Sequence, residues 1–240
     1  MSLRSTIIRR LSRRRKPNWD AHSYRARRAT WMDQLDIHLV IDAGANVGQY
    51  GADIRDDGYE GRILSFEPLN SAFQELQKRT ALDRKWQCVQ TALGDEQGKS
   101  EIYVSGNSPS SSLLPMQERH VRALPVSQII GRESVRVSRL DAFRGDAIAN
   151  ERIWFKLDVQ GYEHKVLAGA AGILPQVRAI EMEMCLVTLY EGQELIDDSL
   201  KRVASLGFCL SALEEVFFDE RTLQVLAVNG IFLREGAKNA

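Results

Sequence analysis

Three acidic residues that close short apolar runs are where this chain could do chemistry. Leu39-Val-Ile41 ends in Asp42, followed by Gly44 and Gly48. Gly61-Arg-Ile-Leu-Ser-Phe66 ends in Glu67-Pro68, and Ile153-Trp-Phe-Lys-Leu157 ends in Asp158, with Gly161 close behind. Each run reads as a buried strand that stops at a turn before a helix. In an open α/β sheet, ligands bind outside the carboxyl ends of the strands. Gly44 lacks a Cβ, so backbone there can approach a ligand closely. An acid after the second strand can accept hydrogen bonds from both hydroxyls of a ribose.

Glycine spacing separates two ligand classes. A dinucleotide site wants G-x-G-x-x-G, with one glycine reserved for the pyrophosphate. Here the order is D-x-G-A-x-x-G, with Ala45 and Asn46 in the middle. That spacing disfavours a nicotinamide oxidoreductase. An acid at the first strand end suits a ligand carrying a cationic amino acid group, and S-adenosylmethionine is such a ligand. The candidate cofactor contacts are Asp42, Gly44, Asn46, Gly48 and Glu67. Asp42 would face the methionyl end, directly or through water, or else cap the next helix. Asn46 would contact the cofactor or serve as an N-cap.

Asp158 is the leading candidate for catalysis. It could accept a hydroxyl proton, or hold a divalent ion such as Mg²⁺ that acidifies the hydroxyl. Its plain structural alternative is an acid bonded to loop amides. Lys156 shares its sheet face, because side chains alternate along a strand. It could pair with Asp158 or line the substrate pocket. Glu181 and Glu183 lie one strand along, and Glu183 is the candidate for the acceptor pocket. His120, in a long polar stretch, is a candidate base on a closing lid, or a solvated histidine. Glu163 and His164 open a helix, where an acid is favoured by the dipole alone.

These residues need a scaffold. Strands are expected at about 38–42, 62–66, 86–90, 100–105, 135–140, 153–157, 178–184, 208–213 and 223–233. Helices are expected at about 19–35, 47–56, 70–80, 162–171 and 194–206, with Asn70 or Ser71 as an N-cap and Gly207 as a C′ glycine. Residues 106–133 read as an irregular loop, and one that long is usually a lid, a binding loop or disordered. Alternating strands and helices imply an α/β fold with a mostly parallel sheet and right-handed crossovers. The last strand pair would place one antiparallel strand in it.

Five pieces in order resemble the FkbM-type S-adenosylmethionine-dependent methyltransferases: Val40-Ile-Asp-Ala-Gly-Ala-Asn-Val-Gly48, Phe66-Glu-Pro68, Thr91-Ala-Leu-Gly94, Ser110-Ser-Ser-Leu113 and Lys156-Leu-Asp-Val-Gln-Gly-Tyr-Glu163. The closing Val228-Asn-Gly-Ile-Phe-Leu-Arg234 also fits. Gln160 and Asn229 depart from the pattern, standing where acids are common. The resemblance implies a Rossmann-like class I fold with a seven-stranded sheet and helices on both faces. It also implies methyl transfer to a hydroxyl, often on a sugar, glycoside or polyketide-like metabolite, and brings Ala92 and Ser112 near the cofactor. Residues 36–234 would form the methyltransferase domain, 1–35 a basic arm and lead-in helix, and 235–240 a tail.

Bulk composition fits that reading. The chain has 240 residues, 44% of them hydrophobic and 27% charged, ordinary for a soluble domain. No apolar run is long enough to span a bilayer, and the start lacks a secretory signal. Cys88, Cys185 and Cys209 form no C-x-x-C pair, which suits a reducing cytoplasm better than a disulfide frame or zinc site. Charge is uneven. Residues 1–30 hold ten Lys/Arg against one acid, a balance of +9, and the remainder holds 22 against 31, a balance of −9. The basic arm would grip an anionic surface or dock on the acidic body. Competing readings are an RNA methyltransferase using that arm and a non-catalytic nucleoside-binding module. Against the RNA reading, Leu-Asp-Val-Gln is no base-stacking Asn/Asp-Pro-Pro-aromatic loop. A small-molecule acceptor is the expected partner, and a homo-oligomer is left open.

Overall fold

The computed structural model describes residue 20, residues 22–145, residue 148 and residues 151–236. The dense arginine run expected to meet an anionic surface, and the end of the expected tail, lie outside the described residues.

The central sheet has seven strands: β1 (Leu39–Ala43), β2 (Arg62–Phe66), β3 (Trp86–Val89), β7 (Ile153–Leu157), β8 (Val177–Cys185), β9 (Phe208–Asp219) and β10 (Gln224–Arg234). Their order is β3-β2-β1-β7-β8-β10-β9. β1, β2, β3, β7 and β8 run parallel, and β10 pairs antiparallel with both β8 and β9. All five residues of β1 and of β7 are buried. Helices cover both faces of the sheet, so these strands are apolar throughout rather than alternating.

Leu39, Ile41, Phe155 and Leu157 enter one core cluster, while Val40, Ile63 and Trp154 enter another on the opposite face. That second face is covered by α1 (Tyr24–Gln34), α2 (Gln49–Asp56) and α3 (Asn70–Thr80), through Met32, Ile54 and Leu76. The N-cap of α3 is Leu69, with no side-chain cap, in place of the expected Asn70 or Ser71. Gly207 follows the last helix, α6 (Ile196–Ser205), with φ 81° as a C′ glycine should.

The stretch 106–133 departs from its reading as an irregular loop. It holds a short helix, α4 (Glu118–Ala123), and the start of β6 (Ile129–Ser138). With β4 (Ala92–Leu93) and β5 (Gly98–Ser105), β6 forms a separate three-stranded sheet. None of residues 129–134, the half of β6 that reads as loop, is buried, so no two-residue alternation betrays a strand there, whereas the half from Val135 on is expected as one. Long pairing with β5, from Gly98↔Val137 to Ser105↔Ile129, holds it in place instead.

Candidate functional site

A cleft opens at the carboxyl ends of β1, β2 and β7, where an open α/β sheet binds its ligands. Gly44, Asn46, Glu67, Ala92, Ser112 and Asp158 all line it. The turns after β1, β2 and β7 therefore converge, although more than 90 residues separate the first from the last.

Glu67 is buried at the cleft wall, 4% exposed. Its Oε2 accepts the Asn46 amide at 2.8 Å and its Oε1 accepts the Leu69 amide at 2.8 Å. Each carboxylate oxygen retains a second lone pair for a ligand hydroxyl. Burial pushes this carboxyl up to about 7, even against the pull of the two amides. Asn46 has φ 48°. Its side chain donates to Ser108 Oγ at 2.8 Å and accepts the Val47 amide, so it ties the β1 turn to the serine loop.

Two glycines do different work. Gly44 has φ 79°, and a Cβ there would lie 1.9 Å from the Asp158 carbonyl oxygen. Its bare Cα lets the turns after β1 and β7 touch. Gly48 does not line the cleft. It begins α2 with φ 86°, and a Cβ would meet Leu76 at 2.9 Å and Trp86 at 3.2 Å. It serves as a packing and turn glycine at the start of α2.

Asp42 lies beneath the turn after β1. It is fully buried and absent from the cleft wall, and it does not cap α2, whose N-cap is Gly48. It sits in a polar row across the sheet, set by the registers Asp42↔Ser65, Asp42↔Lys156 and Lys156↔Glu181. Ser65 Oγ donates to Asp42 Oδ2 at 3.1 Å, and Lys156 Nζ lies 3.9 Å from Oδ1. Burial raises the Asp42 carboxyl above its ordinary range, although Lys156 and Ser65 pull the other way. Glu181, in the same row, accepts from Tyr50 at 2.6 Å and Trp154 at 3.0 Å and pairs with Arg28 of α1 at 3.5 Å. It serves the scaffold, not the cleft.

Asp158, one pleat beyond that row, keeps about a third of its side chain exposed. Lys156 Nζ donates to its Oδ2 at 3.1 Å and Gln160 Nε2 to its Oδ1 at 2.8 Å. Burial alone would raise this carboxyl, but the Lys156 ammonium and the Gln160 amide outweigh it and hold Asp158 below the usual carboxylate range. Lys156 is buried, which works against its charge, yet Asp158 and Asp42 keep it above its usual range. An ammonium thus stands where the alternative reading put Mg²⁺. Among the described residues, no three His, Cys, Asp or Glu side chains gather to hold a metal.

The same Gln160 amide donates to Glu183 Oε2 at 2.6 Å, and its Oε1 accepts from Tyr190 Oη at 2.6 Å. Ser112 Oγ donates to the Gln160 carbonyl at 2.7 Å. Gln160, noted in the sequence only as a departure from pattern, is therefore the hub that joins Asp158, Glu183 and the serine loop. Its φ of 55° beside Gly161 at 93° marks a tight turn, and the Gln-Gly pair after a strand was a readable turn signal. Tyr190 carried no local signal, because its contacts lie 30 and 80 residues away.

His120 is not a lid base. It is 2% exposed, packs its ring 5.3 Å from Tyr190 and 5.0 Å from Phe217, and its Nδ1 lies 2.8 Å from Ser127 Oγ. Burial lowers its pKa to about 4, so it is neutral at pH 7. It is the one fully buried side chain of α4 and anchors that helix.

Comparison with known proteins agrees with this architecture. "Methyltransferase 1" of Beauveria bassiana is 26% identical over 146 residues, covering 56% of this chain and 59% of its own length. "2-O-methyltransferase NoeI" of Sinorhizobium fredii is 24% identical over 163 residues, covering 65% and 66%. The chain thus spans about three-fifths to two-thirds of these relatives. The crystal structure of methyltransferase FkbM from Methylobacillus flagellatus superposes with a TM-score of 0.51 at 14% identity, over 81% of this chain and 44% of that one. The methyltransferase FkbM domain family matches residues 42–210, well over half of the chain, from the end of β1 into β9. By that match, this chain belongs to the FkbM methyltransferase family.

Proposed function

We propose that this domain transfers a methyl group from S-adenosylmethionine to a hydroxyl of a small acceptor, a sugar or glycoside. The observation that carries this reading is the cleft itself, with buried Glu67 in one wall and partly exposed Asp158 in another. The relative named as a 2-O-methyltransferase supports oxygen as the acceptor atom.

The residues fit the cofactor. Glu67 offers a buried acceptor for a ribose diol, and Gly44 lies on the cleft wall with no Cβ in the way. Asn46, Ala92 and Ser112 also line the cleft. When bound, the cofactor supplies a methyl group already made electrophilic by its sulfonium. The protein's part is then mostly placement, which can supply ~7–11 kcal/mol of barrier lowering. Asp158 accepts a hydrogen bond from the acceptor hydroxyl and takes its proton as the new bond forms. A base so placed contributes roughly 10²–10⁴-fold. Lys156 keeps Asp158 ionised and aims it. No metal role is proposed, because among the described residues no three His, Cys, Asp or Glu side chains gather around a common point.

The test is calorimetric titration with S-adenosylmethionine, S-adenosylhomocysteine and NAD, followed by transfer of labelled methyl to a sugar panel and to RNA. Adenosyl binding and label on a sugar hydroxyl are expected. NAD binding without adenosyl binding would overturn the reading, and label on RNA would redirect it.

A further inference from the structure

A second cavity lies beside the turn that follows β7. Gly161, Glu163, His164 and Glu183 line one side, and Ser199 and Arg202 of α6 line the other. It has room for about one water molecule. Glu183 lines this cavity, Asp158 lines the cleft, and the Gln160 amide joins the two carboxyls.

The two carboxyls are held as a pair. Gln160 Nε2 donates to both, at 2.8 Å to Asp158 and 2.6 Å to Glu183. Sharing one amide nitrogen makes the two carboxyls near neighbours. Two carboxylates so close cannot both ionise freely, and the proton stays on the one with less compensation. Lys156 compensates Asp158, so the proton rests on Glu183.

We propose that Glu183 is a relay carboxyl that carries the acceptor's proton from Asp158 to solvent through the second cavity. This rests on the methyltransferase reading above. Methylation of a hydroxyl forms an O–C bond, breaks the sulfonium S–C bond and frees one proton. With ligands in the cleft, Asp158 is covered and the proton needs another way out. Protonation of Asp158 removes the negative charge that held the proton on Glu183. Glu183 then releases its proton to water in the second cavity and takes the one on Asp158, which restores the starting state. One proton leaves per methyl transferred, and no oxidant or reductant is needed.

The groups facing Glu183 are consistent with this route. Lys156 comes from β7, Asp158 and Gln160 from the turn after it, Glu163 from α5 (Glu163–Gly169), Cys185 from its own strand, and Tyr190 from the loop beyond. His164, whose Nδ1 is buried without a hydrogen-bond partner, lines the cavity with Glu194 and Arg202. Arg202 is paired with Glu194, so the cavity wall carries no unopposed cation to repel a departing proton.

Infrared spectroscopy of the full chain tests this, with S-adenosylhomocysteine binding checked by calorimetry on the same samples. The difference between wild type and Glu183→Gln should show a protonated carboxyl band at pH 7. In Asp158→Asn its titration midpoint should fall by at least about one pH unit. In D₂O the band should exchange as readily with the cleft filled by S-adenosylhomocysteine as without. A band absent from the difference, unmoved by Asp158→Asn, or blocked from exchange in the filled cleft would overturn the relay alone. Failure to bind S-adenosylhomocysteine would overturn the methyltransferase reading and the relay with it.

Discussion

Affinity for S-adenosylhomocysteine should depend on pH through Glu67. The carboxyl is nearly sealed from solvent, holds two backbone amides and titrates at about 7. A ribose diol donates hydrogen bonds, so it selects the ionised form. Roughly a tenth of the protein is ionised at this site at pH 6 and roughly nine tenths at pH 8. The apparent Kd scales with the inverse of that fraction. It should therefore fall about tenfold, or ~1.4 kcal/mol, from pH 6 to pH 8, and level off above. Calorimetry at pH 7 in buffers of low and high ionisation enthalpy should register about half a proton released per ligand bound. Glu67→Gln keeps the shape but loses the charge and sets an NH₂ against a backbone N–H. Charge-assisted hydrogen bonds contribute ~1.5–3 kcal/mol, so binding should weaken about 10- to 150-fold, with no pH slope and no proton release. Stability supplies an internal control. Because the folded carboxyl titrates above its ordinary 4.5, its contribution is fully present below that pH and is lost as pH rises through 7. That loss is on the order of 3 kcal/mol, and Glu67→Gln should abolish it. A wild-type Kd that is flat from pH 6 to pH 8, with no proton released, would refute the assignment of Glu67 to the ribose.

Gly44→Ala should destabilise the fold by ~2–4 kcal/mol, because the added Cβ strikes the Asp158 carbonyl at a left-handed φ; chemical denaturation reads this directly. Lys156→Met strips the shared cation from buried Asp42 and Asp158 and should cost ~3–5 kcal/mol at pH 7. Asp158 is held below its ordinary range, so the stability it contributes is present above that range and lost as pH falls through it. Without the cation, burial raises these carboxyls instead, so the variant takes up protons at higher pH than the wild type and the Lys156→Met deficit should shrink as pH falls; a deficit unchanged from pH 7 to pH 4 would count against the pairing. His120→Phe should leave S-adenosylhomocysteine affinity unchanged, whereas His120→Ala should lower stability by ~2–4 kcal/mol by opening a cavity beside Tyr190 and Phe217. Lost binding in a folded His120→Phe variant would return His120 to the site.

Periodicity and turn chemistry placed the strands at β1, β2 and β7 because those segments are buried on both faces and read as unbroken apolar runs. Their carboxyl ends could be found for the same reason: a charged residue and a glycine must interrupt the run where the chain leaves the core. Glu67 and Asp158 were therefore legible as acids at strand ends, and Gly44 as a turn that admits no Cβ. The division of labour among the acids was not legible. Asp42, Glu67 and Asp158 look alike in the sequence, yet strand pleat and register decide which side chain enters the cleft and which enters the buried row with Ser65, Lys156 and Glu181. His120 looked solvated because nothing local shows that Tyr190 and Phe217 fold over it. The first half of β6, residues 129–134, was invisible because its stability comes from a partner strand, not from its own alternation. Gln160 gained its importance only from the convergence of Asp158, Glu183, Ser112 and Tyr190, drawn from three separate stretches of chain. What the chain encodes locally is where strands end and which residues stand there. Packing across the sheet alone decides which of those residues meet, because hydrogen-bond geometry between distant segments leaves no periodic trace in the sequence.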